Sequence, residues 1–190
     1  MRKLKLQVQI SLDGFVADEN SGLDWMVWDW DDELKNYVAA LHVPVDLILM
    51  GRNMMPGFID AWNAQVDDPE SGEIARKMVD TPKIVFSHSL KSSDWINTTI
   101  ENGDLTEVVT KLKTGTGGDI IVYGGASFVS ALIKNNLIDE YHLFVNPVAL
   151  GKGLPIFGDL KDRLKLKFVK AESFASGIVD LCYQPFENEI

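Results

Sequence analysis

The chain has one cysteine, three histidines and no apolar run long enough to cross a membrane. Each scarcity excludes something. With Cys182 alone no internal disulfide can form, and the histidines show no pair at ligand spacing, so no metal site is expected. The start, "MRKLKLQVQISLDG", is basic like a secretory leader, but Lys5, Gln7 and Gln9 break the apolar core a leader needs; it reads as a first strand. Basic residues are also in deficit, 18 Lys and Arg against 28 Asp and Glu, for a formal charge of −10. Such a surface repels polyanions, so nucleic acid is not an expected partner, although a local basic cluster would still hold a small phosphate. A cytoplasmic protein with no membrane partner is the expectation.

At 190 residues, with no Pro/Ser-rich linker and no internal repeat, the chain fits one domain spanning residues 1–190. Apolar runs predict strands near 3–11, 46–50, 83–87, 119–123, 138–148, 163–174 and 178–186. Helical spacing lies between most of them. Leu34, Tyr37, Val38 and Leu41 form one stripe and Leu105, Val108, Val109 and Leu112 another, with Asp31 or Asp32 and Asp104 as candidate caps. A third helix follows Gly125, and a short pattern predicts one near 70–79. Strand–helix alternation through residue 137 predicts an α/β fold with a mostly parallel sheet between helices. The last fifty residues instead predict an antiparallel hairpin turning near Ser176-Gly177, whose lysines suit an edge.

Three strand ends carry chemistry. In "IIVYGGASFVSALI" an apolar strand meets Gly124 and Gly125 and a helix begins at once. A bare backbone at a helix start suits a phosphate, because free amides and the helix dipole converge there; the same pair also serves tight strand-to-helix packing. It is not the G-x-G-x-x-G of an ordinary dinucleotide fold. In "VDLILMGRNMM" a strand ends at Gly51 and Arg52, whose planar fork suits a phosphate. After "PKIVF" come Ser87, His88 and Ser89. Open α/β sheets bind ligands at this carboxyl edge.

Together "ISLDGFVA", "LMGRN", "KIVFSHSL" and "YGGASFVSALIKNNLIDEYHLFVNPVALGKGLPIF" resemble the dihydrofolate-reductase-like fold, and within it the C-terminal reductase domain of bifunctional riboflavin biosynthesis proteins. The resemblance covers nearly the whole chain. It implies a three-layer α/β fold, mostly parallel, with a C-terminal antiparallel hairpin, and NADPH as cofactor. It places the cofactor diphosphate at Gly124, Gly125, Ala126 and Ser127 and the adenosine 2′-phosphate among Arg52, Ser87 and His88, with Gly51 and Asn53 as further cofactor-binding residues. Ala17, with Asp13 and Gly14, would border the nicotinamide. Relatives carry a threonine two residues after the arginine, where this chain has Met54.

On the substrate side, "LDWMVWDWDDELKNYV" sets Trp25, Trp28 and Trp30 ahead of Asp31, Asp32 and Glu33. Aromatic faces stack on flat heterocycles, and a carboxylate anchors an amidine-like N–H pair or moves a proton; core packing and helix capping account for the same residues. By resemblance Glu33 is the substrate-binding acid, with Asp32 its alternative. Lys152 in the glycine-rich loop "ALGKGLPIF" is a candidate anionic contact, while His42 and His142 read as structural. The expected activity is hydride transfer from NADPH to a pterin or a 5-amino-6-(5-phosphoribosylamino)uracil-like heterocycle by a homodimer. The alternative is a non-catalytic nucleotide-binding or interaction protein.

Overall fold

The computed structural model describes residues 1–186. Its strands are β1 (Leu4–Ile10), β2 (Phe15–Ala17), β3 (Val45–Gly51), β4 (Lys83–Phe86), β5 (Thr98–Glu101), β6 (Asp119–Val122), β7 (Glu140–Val145), β8 (Leu154–Pro155), β9 (Leu166–Ser173) and β10 (Val179–Pro185). The helices are α1 (Asp32–His42), α2 (Met55–Asn63), α3 (Gly72–Asp80), α4 (Leu105–Thr114) and α5 (Ala126–Lys134). Eight strands form the main sheet in the order β5-β4-β3-β6-β1-β7-β10-β9, and β2 pairs with β8 apart from it. From β5 to β7 all neighbours are parallel; β10 and β9 add the antiparallel hairpin.

Strand alternation explains the three layers. On one face Leu4, Leu6, Leu49, Val122 and Tyr141 pack beneath Val109 of α4 and Val129, Leu132 and Ile133 of α5. On the other, Ile48, Met50, Val85 and Ile121 meet Met55, Ile59 and Met78 of α2 and α3, while Leu34 and Val38 of α1 cover Phe144. Each such aliphatic side chain stabilises the fold by about 1.5–3 kcal/mol on burial. Asp31 caps α1 by accepting the Leu34 amide at 2.8 Å, and Asp104 caps α4 by accepting those of Thr106 and Glu107. Of the two candidate caps for α1, Asp31 takes the role.

The sequence expectation omits α2, β5 and the short pair β2 and β8. "MPGFIDAWN" carries Pro56 and Gly57, which read as breakers, but Pro56 falls in the first turn, where no N–H is required. β5 is short and half-exposed, so it lacks an apolar run. The hairpin turns at Gly177, with φ +85°, and β9 is the sheet edge with its lysines outward. A bulge between Cys182 and Tyr183 leaves Val169 unopposed, and Phe168 and Val169 are 58% and 44% exposed.

Candidate active site

The parallel strands deliver their carboxyl ends to one edge, and the three polar junctions meet there. Leu49 is in register with Val122, so Gly51 and Gly124 leave adjacent strands side by side. A Cβ on Gly51 would stand 2.9 Å from Phe128 Cβ; the glycine is what lets α5 lie this close to β3. Gly125 takes φ +82° and starts α5 without a side-chain cap. Among the described residues no acceptor receives the amide protons of Ala126, Ser127 or Phe128. Three unpaired donors at the positive end of a helix dipole form an anion cradle. Gly124 is buried, and a Cβ there would lie 3.6 Å from the Met54 thioether. Met54, the departure from the family threonine, therefore rests beside the glycine turn.

Arg52 reaches from β3 to the loop after β4, where its Nη1 donates to Ser89 Oγ at 2.6 Å. Its Nε lies 3.4 Å from Asn53 Oδ1. Ser87 is buried, and its Oγ accepts the amides of Ser89 and Leu90, so this hydroxyl shapes the loop; His88 is exposed. Ser89, passed over as a site residue, is the hydroxyl that Arg52 holds. Only its place beside His88 in "SHS" pointed to it.

On the far side of the edge, the loop from Ser11 to Asp31 faces the loop from Asn146 to Gly153. Asp13 accepts from Ser11 Oγ at 2.7 Å and from the amides of Leu150 and Gly151 at 3.0 and 2.7 Å, and those bonds, the serine's first, hold its carboxyl down to about 2. Asp13 is thus a latch between the two loops. Ala17 is buried in β2, and Gly153 is the only residue type that fits against its carbonyl, since any Cβ would collide with Ala17 O. A cleft of about 440 Å³ lies between Asp18, Glu19, Asn20 and Leu150, Gly151, Lys152. Lys152 is exposed, with Nζ 3.9 Å from Glu19.

The tryptophans divide in role. Trp30 is half-buried against the α1 cluster and donates Nε1–H to Val27 O at 2.8 Å, whereas Trp28 is 63% exposed. Asp32 and Glu33 stand exposed in the first turn of α1. A further residue escaped sequence reasoning: fully buried Asn146 accepts the Val27 amide at 2.9 Å and donates to Gln9 Oε1 at 2.6 Å, fastening the tryptophan loop to β1. Its partners lie over a hundred residues away, and its only local signal is the Asn-Pro step at a strand end. From Leu6 to Leu34 the chain carries eight acids and no lysine or arginine, so the wall of the cleft is strongly negative.

A family model described as the RibD C-terminal domain matches residues 2–179. The chain belongs to the RibD C-terminal domain family. It is 35% identical over 187 residues to the Bacillus subtilis (strain 168) protein YyaP, covering 96% of this chain and 94% of that one. Among solved structures, a putative riboflavin biosynthesis protein from Shewanella sp. PV-4 superposes with a TM-score of 0.72 at 24% identity, covering 98% of this chain and all of the other. A dihydrofolate reductase from Enterococcus faecalis complexed with NADP(H) gives a TM-score of 0.60 at 11% identity over 97% of both chains. The fold is dihydrofolate-reductase-like, as the motifs implied. Among the described residues no helix is long and apolar enough to cross a membrane. The cradle at α5 and the Arg52–Ser89 pair form one wall of this RibD-type edge, and the latched acidic loops form the other.

Proposed function

We propose that this RibD-family chain is an NADPH-dependent reductase of a small, flat nitrogen heterocycle. One observation carries the reading: three unpaired amides at the start of α5 open on the same sheet edge as the Arg52–Ser89 pair. Those two features match the two phosphate centres that distinguish NADPH from uncharged ligands. The amides of Ala126, Ser127 and Phe128 would hold the diphosphate, with Gly124 and Gly125 allowing its approach. Arg52, with Ser89, Asn53 and His88 around it, would take the 2′-phosphate. Bound NADPH would supply the hydride; the protein contributes position and exclusion of water. Ala17 and Asp13 would border the reacting ring. Glu33, or Asp32 beside it, would pair with an amidine-like edge of the substrate, and Trp30 would back the loop that covers it.

The charge of the substrate wall favours the pterin side of the expectation over the phosphoribosyl side. A phosphate dianion entering a cleft walled by Asp18 and Glu19, with Lys152 already facing Glu19, meets like charge. We therefore place a neutral or cationic ring there. A homodimer through the β9–β10 hairpin would cover exposed Phe168, Val169 and Phe186. Light scattering tests it: a species of 21.2 kDa would rule it out.

A second reading rests on Met54. Its thioether lies against the glycine turn where relatives place a hydroxyl, which fits a nucleotide-binding protein without turnover. Titration with NADPH, followed by addition of dihydropterins and ribosylaminopyrimidines with and without their 5′-phosphate, separates the readings. Oxidation of NADPH by an unphosphorylated ring supports the reductase. Binding without oxidation supports the second reading, and absence of binding removes both.

A further inference from the structure

At the opposite end of β7 from the proposed active site, side chains from two strands converge beneath α1. Glu140 and His142 share a face of β7 at i and i+2, and Cys182 stands directly across from His142 on β10. His142 Nε2 lies 2.9 Å from Glu140 Oε1 and 3.9 Å from Cys182 Sγ, and all three donor atoms fall within 4.8 Å of one another. The side chains are almost fully enclosed: His142 is 4% exposed and Glu140 13%.

We propose that Glu140, His142 and Cys182 bind a divalent transition metal of zinc character. The remaining atoms of each ligand support this more strongly than proximity does. His142 presents Nδ1 to Asp180 Oδ2 at 3.0 Å, the carboxylate–histidine arrangement that fixes a metal-binding ring, and turns Nε2 to Glu140 Oε1, the contact an ion would replace. Glu140 Oε2 is held by Lys3 Nζ at 3.1 Å and Gln184 Nε2 at 3.2 Å, which leaves Oε1 turned inward. Asp180, Lys3 and Gln184 thus occupy the outward atoms, and one imidazole nitrogen, one carboxylate oxygen and one sulfur face each other. A mixed N, O, S set is the donor chemistry zinc accepts, with a fourth position left for water.

Distance and charge both agree. Tetrahedral zinc, with bonds of about 2.0–2.3 Å, separates nitrogen from oxygen by about 3.3 Å and nitrogen from sulfur by about 3.6 Å. The observed 2.9 and 3.9 Å lie on either side of these by a few tenths of an ångström, and Glu140 Oε1 and Cys182 Sγ, within 4.8 Å of each other, would be drawn together by side-chain rotation. A carboxylate and a thiolate offset the two charges of the ion. Asp180 is fully buried, and its Oδ1 has no hydrogen-bond partner among the described residues, a carboxylate oxygen whose desolvation a nearby cation would offset. The ion would staple β10, and with it the whole hairpin, to the parallel sheet. Sequence spacing gave no sign of it because the cysteine lies forty residues from the histidine.

The test uses the full chain after chelator treatment, titrated with Co²⁺ and then Zn²⁺. Because Cys182 is the sole cysteine, a thiolate-to-cobalt charge-transfer band can arise from no other residue. We expect one ion per chain, that band at saturation, its displacement by Zn²⁺, and its loss in Cys182→Ser. Asp180→Asn, which leaves all three ligands in place, should weaken Zn²⁺ binding by about 10- to 100-fold. If Cys182→Ser does not fold by circular dichroism, Glu140→Gln serves, with the same weakening expected. A saturated wild-type protein without the thiolate band would show cobalt on surface carboxylates and overturn the proposal. So would unchanged affinity in folded Cys182→Ser or Glu140→Gln.

Discussion

Replacing Gly124 by alanine separates a glycine kept for packing from one kept for a ligand. Gly124 is outside the positive-φ region, and a Cβ there would meet only Met54, at 3.6 Å from Sδ and 3.9 Å from Cε, which are ordinary van der Waals contacts. Folding has no reason to reject the methyl group. Lower entropy of the unfolded chain should stabilise the variant by about 0.4–1 kcal/mol. For a chain of this length that raises Tm by roughly 1–4 °C. The same methyl group would stand where the backbone must come close to the diphosphate. Losing one charge-assisted amide contact costs about 1.5–3 kcal/mol, a weakening of NADPH binding of roughly 10- to 150-fold.

Gly125→Ala is the contrasting control. Its Cβ would also find only ordinary contacts, at 3.7 and 3.9 Å, but φ +82° strains an L-residue by about 1–2 kcal/mol. Stability should therefore fall at 125 and hold or rise at 124, while NADPH affinity falls at both. Thermal unfolding by circular dichroism and a nicotinamide fluorescence titration read the two quantities separately. If Gly124→Ala lowers Tm by several degrees, or leaves NADPH affinity unchanged, the glycine belongs to packing and the cradle does not seat a diphosphate.

Two further outcomes follow from the same contacts. His42 is buried with Nδ1 2.6 Å from Val38 O, and burial, aided by nearby Lys77, lowers its pKa from 6.5 to about 4. The folded state binds the proton less readily than the unfolded chain. Stability is therefore full above pH 6.5 and falls as the pH drops toward 4, by about 3 kcal/mol for the 2.5 units between those values. Urea unfolding across this range should show that loss, and His42→Gln should flatten it; an unaltered slope would mean that other groups set the acid limb. Asp13→Asn should release the two loops from each other, seen as faster hydrogen exchange at the Leu150 and Gly151 amides with β1 unaffected. Unchanged exchange there would remove Asp13 as a latch.

Much of this was legible along the chain because the parallel half of the fold is built from local units. Apolar runs of strand length place β1, β3, β4, β6 and β7 within a few residues, and a glycine or arginine at a strand end has its position from the strand itself. Reading failed where a residue's meaning lies far away. Pro56 looks like a breaker until it is seen in a first helical turn, and Asn146 looks like loop until Val27 and Gln9 arrive beside it. Met54 gave a sequence departure but no geometry; only the packed turn shows the thioether beside Gly124.

The two walls of the edge are built differently, and this bears on what can vary. The proposed cofactor side hangs on β3, β6 and α5, with Gly51 pressed against Phe128, so a change there would disturb helix packing as well as binding. The proposed substrate side consists of loops fastened mainly through main-chain amides: Asp13 takes those of Leu150 and Gly151, and Asn146 takes that of Val27. A fastener that grips backbone is indifferent to the side chain carried by the gripped residue. Trp28 or Glu19 can therefore be exchanged without unseating either loop, whereas Asp13, Asn146 and Asp18, whose carboxylate accepts the Asn20 and Gly22 amides, cannot. If the proposed reading holds, substrate preference would be free to change along the loops while the anion cradle stays fixed, and the charge of those loops, rather than the family resemblance, would decide between a phosphorylated and an unphosphorylated ring.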